Sequence, residues 1–239
     1  MHVTEVCLKA DIFPDVDAYP FNLDVLRKTE RLEFKRPVTF FTGENGTGKS
    51  TLLKAICQRC GIHIWEGPHR VRLENNPWEK TLWKAVQVTW TKGRVTGSFF
   101  GSQIFQNFAF LVDEWASSSP GILEYYGGKS LVTQSHGQSL MSFFSAVTKR
   151  PGLYFLDEPE TALSPKTQLV LLDLLAKANE EAHSQFIIAS HSPILMACPK
   201  ADIFSFDHAP ISAIAYKDTE HYRVYADFMK KIQENHHPD

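Results

Sequence analysis

Residues 43–50 read Gly-Glu-Asn-Gly-Thr-Gly-Lys-Ser and satisfy the pattern G-x-x-x-x-G-K-[ST] at every fixed position. The flanks supply the context that pattern needs, a strand before and a helix after. Val38-Thr39-Phe40-Phe41-Thr42 is β-branched and aromatic and predicts a buried strand. Thr51-Leu52-Leu53-Lys54-Ala55-Ile56 predicts the first turns of a helix. Gly43, Gly46 and Gly48 allow backbone dihedrals closed to other residues. Successive N–H groups can then converge into an anion cradle backed by the positive end of the helix. Asn45 tolerates a left-handed turn and helps to close the loop. Lys49 is placed to reach the last two phosphates of a nucleoside triphosphate, and the Ser50 hydroxyl to ligate Mg²⁺. Thr47 and Thr51 belong to the same phosphate-binding stretch. Chance alone matches the four fixed positions in roughly one chain of this length in a hundred.

A chain of 239 residues can bury a substantial core as a single α/β domain. A formal net charge of −2 argues against a generally basic, nucleic-acid-binding surface. Arg27, Lys28, Arg31, Lys35 and Arg36 cluster before the loop, but Glu30 and Glu33 interrupt them, so the segment reads as a solvated face. The longest apolar run of note, Phe108 to Val112, is far short of the roughly 20 residues that span a bilayer. Met1-His2-Val3-Thr4-Glu5 lacks the charged and apolar regions of a secretory leader. The expectation is a cytoplasmic protein without membrane insertion. Cys57-x-x-Cys60 with His63 nearby lacks a second Cys/His pair to complete a tetrahedral zinc site, and reads as buried helix residues.

Along the chain, residues 2–8 predict an edge strand and residues 11–22 a loop, with a short strand or helix over Phe21 to Leu26. Tyr19, Phe21 and Phe34 are aromatic candidates to stack on a nucleotide base, each with a core role as the alternative. Leu82 to Trp90 and Arg94 to Phe100 predict a hairpin around Lys92-Gly93. Ser102 is a candidate cap for a helix over Gln103 to Trp115, with Ile104, Phe105, Phe108, Leu111 and Val112 as its core stripe. Gln134-Ser135-His136-Gly137-Gln138-Ser139 is a polar turn leading into a helix over Leu140 to Val147.

Gly152-Leu153-Tyr154-Phe155-Leu156-Asp157-Glu158-Pro159 is an apolar strand that ends in two acids. In nucleotide-binding α/β proteins an Asp at the end of a second buried strand holds Mg²⁺. Glu158, one residue on, can take a proton from an attacking water. Ser164-Pro165 opens a long helix to about Ala182, with Leu169, Leu172, Leu175 and Ala176 as its core face. Gln185 to Ser190 is the next buried strand and ends at His191, at the carboxyl end where open α/β sheets place their ligands. Asp202 to Asp207 and Ile211 to Tyr216 predict a closing hairpin, and residues 219–235 a terminal helix.

In this order, the phosphate loop, Ser135-His136-Gly137-Gln138, Leu156-Asp157-Glu158 and His191 resemble the ATP-binding-cassette (ABC) ATPases. The resemblance covers about Val38 to Asp207. The phrases around Asp157 and His191 look most like the soluble branch, which includes SMC-type, RecF-type and small stand-alone "AAA family" ATPases. It implies an α/β P-loop fold with a mixed sheet core, helices on both faces and a small antiparallel β subdomain. It also implies one domain over residues 1–239, with the hairpin and the helical signature part inside about 61–150. Two positions depart from the transporter pattern: His136 stands where a Gly is usual, and Ser164 where an Asp is usual. Gln103 is the candidate by position for the glutamine that senses Mg²⁺ and water, with Gln87 as the alternative.

The mechanism so implied is an ATP-dependent head-to-tail homodimer. Ser135, Gly137 and Gln138 of one copy would face the γ-phosphate held by Lys49 of the other. Ser50 and Asp157 would hold Mg²⁺, Glu158 would polarise water, and His191 would contact the γ-phosphate. The work output would be motion in a partner protein or on nucleic acid, through the segment between Gly61 and Ser130. Two alternatives are the ATP-binding subunit of a transporter, and an ATP-gated dimer switch with little turnover. Glu158 argues against the switch, which needs no base.

Overall fold

The computed structural model describes residues 1–65, 76–101, 105–134 and 136–235. Val3–Leu8 forms β1, Asp24–Arg27 a single helical turn α1, and Arg31–Glu33 β2. Val38–Thr42 (β3) leads through the glycine loop into Lys49–Arg59 (α2). Val86–Trp90 (β4) and Gly97–Gly101 (β5) follow, then Phe105–Ser118 (α3) and His136–Val147 (α4). Gly152–Asp157 (β6), Pro165–Glu181 (α5), Ser184–Ala189 (β7) and Pro193–Met196 (α6) come next. Asp202–Ser205 (β8), Ser212–Ala213 (β9) and Glu220–Asn235 (α7) complete the described chain.

Among the described residues the strands make two sheets. A six-stranded sheet has the order β5-β6-β7-β3-β8-β9, parallel throughout except for β9. An antiparallel three-stranded sheet has the order β2-β1-β4. The strands of the large sheet are covered on both faces, and their alternation divides the core. Phe41, Leu153, Phe155, Ile187 and Ala189 face α2 and the small sheet. Val38, Phe40, Tyr154, Leu156, Phe186 and Ile188 face the layer that contains α3, α4, α5 and α6. Near-continuous apolar runs are what two covered faces require. The small sheet is tied to the large one by Gln185, which is fully buried. Its side-chain carbonyl accepts the N–H groups of His2 and Val3 at 2.8 Å each, and its amide donates to the Val3 carbonyl at 2.8 Å.

Four local expectations need correction. β1 lies between β2 and β4, not at an edge. Alternation reveals that a strand has one wet face but not how many neighbours it has. Second, the predicted hairpin over Leu82 to Phe100 does not form. Leu82–Ala85 is a 3₁₀ turn, β4 pairs antiparallel with β1, and β5 pairs parallel with β6. β4 alternates exposed Gln87 and Thr89 with inward valines, as a half-wet antiparallel strand must. β5 places Phe99 and Phe100 in opposite cores, which only the doubly covered sheet accommodates. Third, Leu169 is 53% exposed, and the buried stripe of α5 is Leu171, Leu175 and Ala178. Position 169 points about 200° around the helix from position 171, on the opposite side. Fourth, α3 runs three residues beyond Trp115, to Ser118; residues 102–104, where the predicted cap and helix start fall, lie outside the described residues. Its stripe of Phe105, Phe108 and Val112 is buried as expected.

The helix over residues 165–181 starts as its sequence asks, with the Ser164 hydroxyl accepting the Thr167 N–H and Pro165 in the first turn. The short Phe21 to Leu26 segment resolves as α1, and the terminal helix as α7. On α7, Val224, Tyr225, Phe228 and Met229 are exposed.

Candidate nucleotide site

The glycine loop, the acidic pair and His191 follow β3, β6 and β7, and β7 lies between the other two in the sheet. Three consecutive parallel strands therefore deliver their carboxyl ends to one place. In the loop Gly48 has φ 99°, a left-handed conformation that favours glycine, and a Cβ there would press on Leu23 Cδ1 at 2.9 Å. The loop is tethered from the next strand over: Asp207, just past β8, accepts the Glu44 N–H at 2.9 Å. Asn45 and Gly46 are exposed at the loop's tip. The Thr47 hydroxyl donates to the Glu44 carbonyl at 2.8 Å.

Lys49 is 4% exposed, and its ammonium donates to the carbonyls of Gly43 at 2.7 Å and Glu44 at 2.8 Å. An ammonium has three donors, so this hold leaves one for an anion. Burial pulls the Lys49 pKa down, while Glu158, Asp207, Asp157 and Glu44 oppose that. The Ser50 hydroxyl donates to Asp157 Oδ1 at 2.6 Å. Burial raises the Asp157 pKa, opposed by the Ser50 bond and by Lys54. A buried carboxylate beside a hydroxyl is a hard-oxygen pair of the kind Mg²⁺ uses, with phosphate and water completing the shell. These two residues therefore fit that ion.

Glu158 has φ 49° and ψ 55°, a left-handed conformation uncommon for a residue with a side chain. Its N–H donates to the Ala189 carbonyl at 2.9 Å, which ties the acidic turn to the end of β7. Its Oε1 lies 3.9 Å from His191 Nε2. The His191 N–H in turn donates to Glu160 Oε1 at 2.5 Å. Glu160 is pushed up by burial, against the hydrogen bond from the His191 N–H that lowers it. The His191 ring is held down to about 4, by burial first and then by the Lys49 and His221 charges. At neutral pH it is an uncharged imidazole. Lys49, Ser50, Asp157, Glu158 and His191 are thus brought together by backbone and side-chain bonds across three strand ends.

Known proteins share parts of this sequence and its fold. Residues 137–197 match a family model described as "AAA domain, putative AbiEii toxin, Type IV TA system", and residues 21–61 match one described as "AAA domain". The chain is 23% identical over 195 residues to the high-affinity branched-chain amino acid transport ATP-binding protein BraG of Pseudomonas aeruginosa, covering 75% of this chain and 82% of BraG. It is 25% identical over 178 residues to the probable siderophore transport system ATP-binding protein YusV of Bacillus subtilis, covering 69% of this chain and 64% of YusV. Among solved structures, the SMC head domain from Thermotoga maritima superposes with a TM-score of 0.50 at 15% identity, covering 90% of this chain and 98% of that one. CbiO1 from Clostridium perfringens, part of the ABC transporter complex cbiONQ, superposes with a TM-score of 0.53 at 17% identity, covering 97% and 95%. The fold is the one shared by ABC-type P-loop ATPase domains.

Within this ABC-type fold the signature candidates lie on a separate element. Gly137 and Gln138 open α4, where a Cβ on Gly137 would come 3.8 Å from the Ala162 carbonyl. Ser135 and Gln103 lie outside the described residues. Gln87, the alternative, is exposed on β4 of the small sheet, paired with Cys7.

The three aromatic candidates separate clearly. Phe21 and Phe34 are 1% and 3% exposed and belong to the core. The Tyr19 hydroxyl shares a 2.5 Å hydrogen bond with the Thr51 hydroxyl, on the first turn of α2. A cavity of about 190 Å³ beside them is lined by Tyr19, Ser50, Thr51, Lys54, Gln58 and Glu79. Cys57 and Cys60 are buried at the end of α2, and burial pushes the Cys60 thiol up to about 12.

Three residues at these strand ends escape the sequence reading: Glu160, Asp207 and His221. Glu160 carries a faint signal, as a third acid two residues after Glu158. Asp207 and His221 carry none, because they enter from distant segments.

Proposed function

We propose that this chain binds ATP with Mg²⁺ and hydrolyses it, and that a second copy completes the site. The reading is carried by the convergence of Lys49, the Ser50–Asp157 pair, Glu158 and His191 at the carboxyl ends of β3, β6 and β7. The loop N–H groups and Lys49 bind the phosphates and orient the terminal one. Ser50 and Asp157 hold the Mg²⁺, which neutralises charge that develops on the phosphate oxygens. Glu158, held in a left-handed backbone conformation after β6, takes the proton of the attacking water. His191 contacts the terminal phosphate as a neutral imidazole. Ser135, Gly137 and Gln138 from a second copy close the site over the nucleotide, head to tail, at the positive end of α4. Opening and closing of the pair then does work on a partner protein or nucleic acid. Among the described residues no helix is long and apolar enough to cross a membrane, in keeping with a proposed place in the cytoplasm.

The test is Glu158→Gln. The variant is expected to keep ATP binding, to lose turnover by about 10²–10⁴-fold, and to shift from monomer to dimer with Mg-ATP in light scattering. A monomer with ATP bound would sink the head-to-tail arrangement. Equal, low turnover in both proteins would turn the reading into an ATP-gated switch. A second reading, the ATP-binding subunit of a transporter, is favoured by the two relatives described as transport ATP-binding proteins. His136 in place of the usual glycine weighs against it. Co-purification of this chain with a membrane protein from its own host would favour that reading.

A further inference from the structure

His191 Nδ1 lies 2.9 Å from Nε2 of His221, on the first turn of α7. His221 Nδ1 lies 3.4 Å from the hydroxyl of Thr42, the last residue of β3 before the glycine loop. His191 Nε2 is buried and has no hydrogen-bond partner among the described residues. Its nearest acid oxygen, on Glu158, is 3.9 Å away, beyond hydrogen-bond reach.

We propose that His221 is a positioning residue for His191, fixing the tautomer in which His191 Nε2 carries the proton and donates it as a hydrogen bond to the terminal phosphate. This rests on the nucleotide reading above. Two ring nitrogens that share one hydrogen bond must take opposite roles, one donor and one acceptor. In the first arrangement His221 Nε2–H donates to His191 Nδ1. The His191 proton then sits on Nε2, and the bare His221 Nδ1 accepts from the Thr42 hydroxyl. Every group in the row has a matched partner: Thr42 to His221, His221 to His191, His191 to an outside acceptor. In the reverse arrangement His191 Nε2 is a bare lone pair 3.9 Å from the Glu158 carboxylate, in the site read above as taking a phosphate. Lone pair against anion is repulsive, and the buried Nε2 finds no donor. The surroundings therefore select the first arrangement. The nitrogen a histidine presents to its ligand is set by the bond its other nitrogen makes.

The test uses full-length protein with ¹⁵N-labelled histidine. Long-range ¹H–¹⁵N spectra report which nitrogen of His191 is protonated, without any need for turnover. His191 is expected to be the Nε2–H tautomer in the parent protein and a tautomer mixture in His221→Ala. Turnover in His221→Ala is expected to fall on the order of tenfold, the usual scale for losing a residue that orients a functional histidine, with KM little changed. His221→Gln, whose amide N–H can donate to Nδ1, is expected to recover part of kcat. Parallel thermal unfolding separates these effects from loss of the fold. A Nδ1–H His191 in a parent protein that binds ATP would overturn this inference alone. An unchanged tautomer and kcat in His221→Ala would overturn it as well. Failure of the parent protein to bind ATP would remove the nucleotide reading, and this inference with it.

Discussion

Ser50 Oγ donates to Asp157 Oδ1 across 2.6 Å, joining the first turn of α2 to the end of β6 over 107 residues of sequence. Burial raises the Asp157 pKa, so without a cation this carboxylate is a cost to the fold. Asp157→Asn is therefore expected to unfold at the same temperature as the parent protein or higher when no nucleotide is added. The stabilisation that Mg-ATP gives the parent is expected to disappear in the variant, together with turnover, because ligand stabilisation scales with affinity. Differential scanning fluorimetry with EDTA and with Mg-ATP checks both halves. A large Mg-ATP shift surviving in Asp157→Asn would remove Asp157 from the cation site.

The strand ends that build the site were legible because each is a local pattern. Gly43 to Ser50 is contiguous, Asp157-Glu158 closes an apolar run, and His191 closes another. Local patterns do not name partners. β4 and β5 were each recognisable as strands, but joining different sheets depends on Phe99 and Phe100 finding two covered faces, which no turn between them encodes. Glu160, Asp207 and His221 reach their targets across 31, 163 and 30 residues, and such contacts leave no spacing in the chain. On α5 the expected Leu175 is buried and Leu172 and Ala176 pack against the core, but Leu169 falls on the wet side while Leu171 is buried, because leucines crowd both sides of the helix.

The depressed His191 pKa predicts a specific acid sensitivity. The folded value is about 4 against an ordinary 6.5, with burial the leading cause. The unfolded chain therefore takes up a proton that the folded chain refuses. This part of the stability is fully present above pH 6.5 and is lost as pH falls from 6.5 toward 4. Asp157 and Glu160 are raised, so they act in the opposite sense: the fold gains from them as pH falls and they protonate. The clean readout is a difference. Urea unfolding of His191→Gln and of the parent protein, at several pH values from 7 to 4, is expected to show a parent advantage that shrinks with acid. A difference that stays constant across that range would place the His191 contribution in packing rather than in its neutral charge state.

Glu160 presents one oxygen to the His191 N–H at 2.5 Å and leaves Oε2 buried without a partner among the described residues. The needed function is an acceptor, and the charge is a burden that burial already discourages. Glu160→Gln keeps a carbonyl for the His191 N–H and removes the charge, so its unfolding temperature is expected to match or exceed that of the parent. Glu160→Ala leaves the N–H without an acceptor in a closed turn, at a cost of about 1–3 kcal/mol. For a chain of this size that corresponds to a fall of about 2–4 °C per kcal/mol in the unfolding temperature. Turnover is expected to follow the same order, with the Gln variant near the parent and the Ala variant reduced, because the turn that carries His191 loses its anchor to the acidic loop. If Gln proves as damaging as Ala, the carboxylate charge itself is required, and Glu160 belongs with Glu158 in the chemistry rather than in the support of His191.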